Sequence, residues 1–248
     1  MNRQTVGEIA AEQPASVRVF EKYKIDYCCG GNRPLEEVCR ERGLSPEAVL
    51  AEVQAAAARA PEKDWTKAAL CELTDHIVST HHEYLKAELP ALDARLARVI
   101  EAHSAAHGEM LKRLQEVFEG LQNELLTHLR KEEFILFPAI ESAERARQEG
   151  RPPEPMPFGH IENPIRMMIH EHDSAGEALA QMRKITSDYT LPPDACATFR
   201  ALYTGLQELE ADLHQHIHLE NNVLFPRFEP QPMAQAGCGS GSGCGCAG

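Results

Sequence analysis

The chain has 248 residues, of which 43% are hydrophobic, and a formal net charge of −13. This length suits one large domain or a medium domain joined to a small one, and the apolar content is ample for a core. The acidic balance, with no Lys/Arg cluster, argues against a nucleic-acid-binding protein.

The sequence has no apolar segment of the kind that exports a protein or spans a membrane. Its first twenty residues contain no apolar h-region, and no stretch approaches the roughly 18 uncharged apolar residues of a membrane helix. We therefore predict a cytoplasmic protein without membrane contact. Its eight cysteines are then predicted to be thiols or metal ligands rather than structural disulfides.

Residues 1–58 are predicted to form a small N-terminal domain of short helices. Thr5 and Glu8 have the spacing of a capping box, so the first helix should begin there. Pro34 and Ser45 mark the starts of two later helices, because proline suits the first helical turn and serine is a preferred N-cap.

A vicinal thiol pair, Cys28 and Cys29, lies in this domain between Tyr27 and Gly30-Gly31. Since glycine lets the backbone turn tightly, we expect an exposed turn with accessible thiols. Such a pair is predicted to be redox-active or to bind a soft metal, although two incidental thiols remain an alternative.

A polar connector over residues 59–66 is predicted to lead into a larger helical domain, residues 67–230. Pro90 should kink or end the first long helix, and Pro138 should bend the second. Long helices joined by short breaks indicate a four-helix bundle. The Gly/Ser/Cys-rich tail, residues 231–248, is predicted to be disordered. The four long helices are predicted at residues 67–88 with a continuation to 103, 107–144, 164–187 and 195–227.

One eleven-residue pattern occurs twice in the bundle. His128 precedes Glu132 by four residues, and the segment ends in Leu-Phe-Pro138. His216 and Glu220 repeat the pair at a constant offset of 88 residues, again before Leu-Phe-Pro. The larger domain is therefore predicted to consist of two similar helical hairpins.

Apolar positions upstream of each pair keep the same offset and follow the 3–4 spacing of one helix face. The His and the Glu continue that face, and residues four apart on a helix are neighbours. Burying an imidazole and a carboxylate costs on the order of several kcal/mol unless something pairs with them. A metal ion is the simplest partner. The matched apolar positions are Leu114, Phe118, Leu121 and Leu125 in the first copy, and Leu202, Leu206, Leu209 and Leu213 in the second.

The first and third long helices should each supply one further inward histidine if the hairpins are equivalent. In the third helix, His172 lies on the apolar face and is preferred to His170. The first helix carries His76, His81 and His82, and periodicity does not separate the last two.

Four imidazoles and two carboxylates from four helices predict a site for two metal ions, with the glutamates placed to bridge. Iron is favoured over zinc, because structural zinc prefers closed, Cys-rich tetrahedral sites whereas N/O sites in bundle cores are typical of di-iron proteins. Glu124 and Glu171 are adjacent to these histidines in the sequence pattern and are candidates for supporting hydrogen bonds. The remaining histidines are predicted to be surface or supporting residues.

The residues resemble the RIC family, the repair-of-iron-centres proteins. The resemblance rests on the Asp26–Gly31 turn DYCCGG, followed by two HxxxE…LFP segments, of which the second reads HLENNVLFP. It implies an all-α fold: a hemerythrin-like four-helix bundle behind a small ScdA-type N-terminal helical domain. It also implies two non-haem iron ions per chain, bridged by both glutamates and an oxo or hydroxo group. The family's ligands fall on His82, His128, Glu132, His172, His216 and Glu220, so the resemblance favours His82 over His81; its thiol pair falls on Cys28 and Cys29.

The function implied by this resemblance is repair of iron–sulfur clusters damaged by oxidative or nitrosative stress, through a supply of iron. Damaged iron–sulfur proteins would be the partners, nitric oxide or O₂ would be ligands, and a homodimer is a further expectation. Two alternatives stay open: an enzyme that reduces nitric oxide at the di-iron site, and a sensor that binds O₂ or nitric oxide reversibly. The cysteines of the tail are not part of the family's pattern.

Overall fold

The computed structural model describes residues 4–58, 63–152, 156 and 158–227, and the regular elements in these ranges are helices. The predicted tail, residues 231–248, and part of the predicted connector lie outside the described residues. No helix in the described part is both long enough and apolar enough to cross a membrane. The α-helices are α1 Val6–Glu12, α2 Ser16–Lys22, α3 Leu35–Arg42, α4 Pro46–Ala57, α5 Leu70–Ile77, α6 Glu83–Lys131, α7 Phe137–Gln148, α8 Glu162–Ile185 and α9 Ala197–His218.

Helices α1, α3 and α4 begin where the sequence predicts. The Thr5 side chain accepts a hydrogen bond from the Glu8 N–H, and the Glu8 carboxylate accepts one from the Thr5 N–H, which confirms the capping box. Ser45 caps α4 through the Ala48 N–H. The four N-terminal helices enclose their own apolar cluster, which includes Ile9, Phe20, Tyr27, Leu35 and Val53.

Helix α6 is a hairpin rather than a rod. A straight helix from residue 82 to residue 132 would be about 75 Å long, yet the side chains of His82 and Glu132 are 3.4 Å apart. Its buried positions fall into two runs: the first ends at Val99 and the second begins at Leu111. The reversal therefore lies between these residues, and the two arms are the first and second long helices of the predicted bundle.

Helices α8 and α9 pack against the arms of α6 and complete the four-helix bundle. The shared core contains Leu89, Leu96, Phe118, Leu179 and Leu206, all essentially inaccessible to solvent. Helix α6 continues through Pro90, so of the two alternatives predicted there, a kink or an end, the end of the helix is wrong. Leu89 and Leu92, on either side of the proline, are fully buried in the core and offset the one lost hydrogen bond.

Three π-helical turns interrupt the long helices: π1 Val78–His82, π2 Glu132–Leu136 and π3 Leu219–Leu224. In π2 the Phe137 N–H bonds to the Glu132 carbonyl, five residues back. Pro138 follows as the second residue of α7, where its missing N–H is tolerated. A π-turn inserts a residue and rotates the helix face, and such turns are frequent at functional sites.

The N-terminal helices pack onto the end of the bundle that contains these π-turns. Helix α1 contacts π3 and α9. The contact is close, because a Cβ at Gly7 would collide with the Asn222 side chain. Asn222 also donates to the Tyr27 carbonyl (3.1 Å), and the His214 ring donates through Nδ1 to Glu21 (2.9 Å). The small helices therefore lie directly over this end of the bundle.

Candidate metal centre

The structure brings together all six histidines and glutamates that the sequence points to. Each is at most 3% exposed, although none is apolar. They come from the four long arms of the bundle, and three of them lie within π-turns. They are His82 in π1, His128 in α6, Glu132 in π2, His172 in α8, His216 in α9 and Glu220 in π3.

The six side chains form two groups that share both glutamates. One histidine pair is His82 and His216, and the other is His128 and His172. In each group, one donor atom from every residue lies within 4.8 Å of the others. The arrangement could hold two metal ions side by side.

Each glutamate reaches both groups through its two oxygens. Glu132 places Oε2 3.4 Å from His82 Nε2 and Oε1 3.3 Å from His128 Nε2. Glu220 places Oε1 3.1 Å from His216 Nε2 and Oε2 3.0 Å from His172 Nε2. This is the geometry of carboxylates that bridge two ions.

The outer ring nitrogens of three histidines fix which nitrogen faces the centre. The Nδ1–H of His82 donates to Glu133 (2.9 Å) and that of His128 donates to Glu171 (2.9 Å). The Nδ1–H of His172 donates to Asn221 Oδ1 (2.8 Å). In the neutral rings, Nε2 therefore carries a lone pair that faces inward, as a metal ligand requires.

The inward-facing atoms fit a cation better than they fit one another. His128 Nε2 and His172 Nε2 are 3.2 Å apart, and His82 Nε2 and His216 Nε2 are also 3.2 Å apart. Both oxygens of Glu132 are buried without a hydrogen bond, because the nearby imidazoles do not have the required geometry. An unsatisfied buried polar atom costs about 1–3 kcal/mol, and more if charged. Two cations would satisfy these lone pairs and carboxylates together.

Without metal, the histidines and glutamates of the centre shift one another's pKa values. Burial opposes protonation of His128, but the charge of Glu132 outweighs it and raises the pKa of His128 to about 10. Burial would raise the pKa of Glu220, but the charge of His216 and the hydrogen bond of His172 hold it well below its ordinary value. The metal-free centre therefore retains carboxylates and takes up protons on imidazole.

Charged pairs extend the centre outward on both sides. Glu133 also pairs with Lys86 (2.8 Å), and Glu171 also pairs with Lys131. The hydrogen bond from His128 lowers the pKa of Glu171 to about 2, so this acceptor stays ionised. Glu171 is a residue that the sequence flagged. Glu124 lines a small cavity beside His128, but the structure assigns it no bond to a candidate ligand.

Two supporting residues escaped the sequence reasoning. Glu133 and Asn221 each follow a repeated glutamate, and they are 88 residues apart. Each accepts the Nδ1–H of a histidine from the opposing helix. The repeat offset is the signal that could have identified them.

The histidines that periodicity left open take different roles. His81 is buried but turned away from the glutamates: its Nδ1 bonds to Asp212 (2.8 Å), and its ring stacks on His216 with centroids 5.5 Å apart. His82 faces the centre. His170 is exposed on α8, consistent with the preference for His172.

The expectation of an exposed thiol turn is wrong. Cys28 is 5% exposed and Cys29 is half-buried. The Asp26 carboxylate organises the turn by accepting the backbone N–H groups of Cys28 (3.0 Å), Cys29 (3.1 Å) and Gly30 (2.9 Å). The bundle then covers the turn. Both thiols are free, with sulfurs 3.7 Å apart.

The thiol pair contacts the helix that carries a candidate ligand. The Cys29 sulfur is 3.5 Å from the His172 carbonyl oxygen. Asn221 accepts from His172 Nδ1 and lies within 3.5 Å of the Cys28 carbonyl through Nδ2. The two cysteines also line a groove of about 750 Å³ that runs between the small helices and α8.

Comparison with known proteins agrees with this architecture. Residues 2–57 match ScdA_N, a domain of unknown function, and residues 73–228 match the hemerythrin HHE cation binding domain. The proteins named iron-sulfur cluster repair protein YtfE from Citrobacter koseri and Escherichia coli are each 39% identical over 224 residues. The match covers 90% of this chain and 96% of theirs. The chain therefore belongs to the RIC family, in which an ScdA-type domain precedes a hemerythrin-like cation-binding bundle.

Proposed function

We propose that the six residues hold two non-haem iron ions, further bridged by an oxo or hydroxo group. The donors are imidazole nitrogens and carboxylate oxygens, without sulfur, which suits iron in a bundle core. Each ion would receive two histidines and one oxygen from each of the two shared glutamates. That set leaves positions for solvent or a small ligand.

The function best supported is repair of iron–sulfur clusters damaged by oxidative or nitrosative stress, by supplying iron. The observation that carries it is the sparse donor set, in which both glutamates are shared and no ion has a saturated protein shell. Such an ion leaves more readily than one held by a full set of protein ligands. The names of the relatives support repair over nitric oxide reduction or gas sensing.

The chain's own residues can compensate the charge that leaves with iron. When bound, the iron pair supplies the transferable metal. His128 takes up a proton at Nε2 in the emptied centre, because the charge of Glu132 raises its pKa to about 10. Glu171 and Lys131 keep the ring in place through the Nδ1 hydrogen bond. These residues would therefore balance the charge of the emptied centre.

The groove beside the thiols is the proposed docking place for a damaged client. Cys29 lies against the His172 carbonyl and lines this groove with Cys28. Thiolates bind iron and could accept it between the centre and the client. The predicted homodimer and cytoplasmic location stay predictions.

The test is transfer of iron to a damaged client. The iron-loaded chain is incubated anaerobically with a dehydratase whose [4Fe–4S] cluster has been damaged by nitric oxide, in the presence of thiol reductant. Recovery of dehydratase activity is compared with that from Glu132→Leu/Glu220→Leu. Glu116→Leu/Glu208→Leu, which alters exposed glutamates on the same helices, is the matched control. We expect recovery with the wild type and the control only; equal recovery with all three proteins would contradict the proposal.

A further inference from the structure

A second cluster of metal-binding side chains lies at the far end of the bundle. His103 and His107 lie at the reversal of α6, and Asp194 lies in the connection between α8 and α9. Twenty-one residues of helix separate His103 from His82, a distance of about 30 Å. This cluster is therefore separate from the centre described above.

The three side chains converge on a common point. His107 Nε2 lies 2.9 Å and 3.2 Å from the two Asp194 oxygens, and His103 Nδ1 lies 3.9 Å from Asp194 Oδ2. One donor atom from each of the three residues lies within 4.8 Å of the others. The histidines are four residues apart and so share one helix face.

Packing holds the two rings in place. His103 contacts the buried Phe199 ring edge-on with centroids 5.2 Å apart, and His107 contacts the same ring at 6.1 Å. The side chains of His103 and His107 are 11% and 24% exposed, whereas that of Asp194 is 52% exposed. The site is preorganised on its helix side and open to solvent on the other.

We propose that His103, His107 and Asp194 bind one divalent cation of the zinc class. Two imidazoles and a carboxylate are donor types that zinc takes, and a solvent molecule would fill the fourth position of a tetrahedral site. The cation would tie the reversal of the first hairpin to the beginning of α9 in the second hairpin.

The consequence is stabilisation that does not depend on the iron centre. A cation that binds only the folded chain lowers the apparent unfolding constant about 100-fold when its free concentration is 100 times Kd. Zinc should therefore raise the thermal midpoint of the chain, and removal of Asp194 should abolish most of that effect.

The test uses the full chain with iron loaded, titrated with Co²⁺ as a spectroscopic probe and then with Zn²⁺. Cys238, Cys244 and Cys246 are replaced by serine in every sample, because these thiols could also bind the probe. We expect one Co²⁺ per chain with the visible bands of tetrahedral cobalt, displaced by Zn²⁺. Asp194→Asn should weaken binding at least about 10-fold. Ser104→Ala, an exposed change on the same turn of α6, should not alter binding.

Asp194 is exposed, so this variant avoids the folding risk of truncating both histidines. Equal Co²⁺ binding by the wild type and Asp194→Asn would overturn the site. The titration is repeated on Glu132→Leu/Glu220→Leu, where unchanged binding shows that the site is independent of the iron centre; loss of binding there would overturn it.

Discussion

The hydrogen bonds of Glu133 and Asn221 predict that the metal affinity of each of the two positions can be lowered separately. Asn221→Leu removes the acceptor of His172 Nδ1 (2.8 Å), and Glu133→Leu removes the acceptor of His82 Nδ1 (2.9 Å). Losing such an acceptor costs about 10–100-fold in metal affinity, or about 1.4–2.7 kcal/mol. The amide is neutral, so Asn221→Leu should fall near the lower figure. The carboxylate is charged, so Glu133→Leu should fall near the higher one.

The measurement is a chelator titration of protein loaded with two equivalents of iron. In each single variant, we expect one equivalent of iron to be released at a lower chelator concentration than the second equivalent. The concentration should be about 10-fold lower in Asn221→Leu and about 100-fold lower in Glu133→Leu. The double variant should lose both ions early. Asn123→Leu makes the same substitution at an exposed position of α6 and should titrate like the wild type.

Two results would refute this reasoning. One is a curve for Asn221→Leu that superimposes on that of the wild type, which would mean that the hydrogen bond does not orient His172. The other is an equal shift of both ions in both single variants, which would mean that each acceptor does not act through its own histidine.

Three further predictions concern stability and proton exchange. Phe118→Ala, in a fully buried position, should lower the free energy of unfolding by about 3–5 kcal/mol, whereas Phe134→Ala, 76% exposed, should change it by less than about 0.5 kcal/mol in the same denaturant titration. Burial lowers the pKa of His214, but the hydrogen bond and charge of Glu21 outweigh it and raise the pKa above 6.5. His214→Gln should therefore lose on the order of 1 kcal/mol below about pH 6.5, and the loss should vanish as the pH rises through the raised pKa; a loss independent of pH would contradict this. Metal binding should release a proton from His128, whose pKa is about 10 in the metal-free centre, detected by calorimetry in buffers of different ionisation enthalpy; identical enthalpies would contradict it.

The sequence was sufficient to predict the bundle and to select the converging side chains. Polar residues at apolar positions, repeated at an offset of 88, singled out His128, Glu132, His216 and Glu220 because burial without a partner is costly. This signal is local and periodic, so a single sequence contains it. His82 was different: periodicity could not separate it from His81, because the π-turn that includes both residues rotates the helix face in a way that straight-helix spacing does not represent.

The burial of the thiol pair could not be predicted in the same way. The Asp26–Gly31 turn has the glycines and the acidic residue of an exposed loop, and local sequence describes only the turn itself. What covers Cys28 is π3, nearly 200 residues later, through Asn221 and Asn222. Tertiary packing between segments far apart in the sequence therefore decided the exposure of the thiols.

The docking of the small helices makes the two halves of the duplicated centre unequal. Duplication supplies each half with equivalent histidines and bridging oxygens, so the bundle alone would give two similar metal positions. The thiol turn contacts only the half that contains His172. The supporting groups also differ. In that half the Nδ1–H of His172 donates to neutral Asn221 and that of His128 to Glu171. In the other half the Nδ1–H of His82 donates to Glu133, whereas Nδ1 of His216 has no hydrogen-bond partner among the described residues. The two ions are therefore expected to differ in affinity, and the one between His128 and His172 lies on the side where the thiols line the groove.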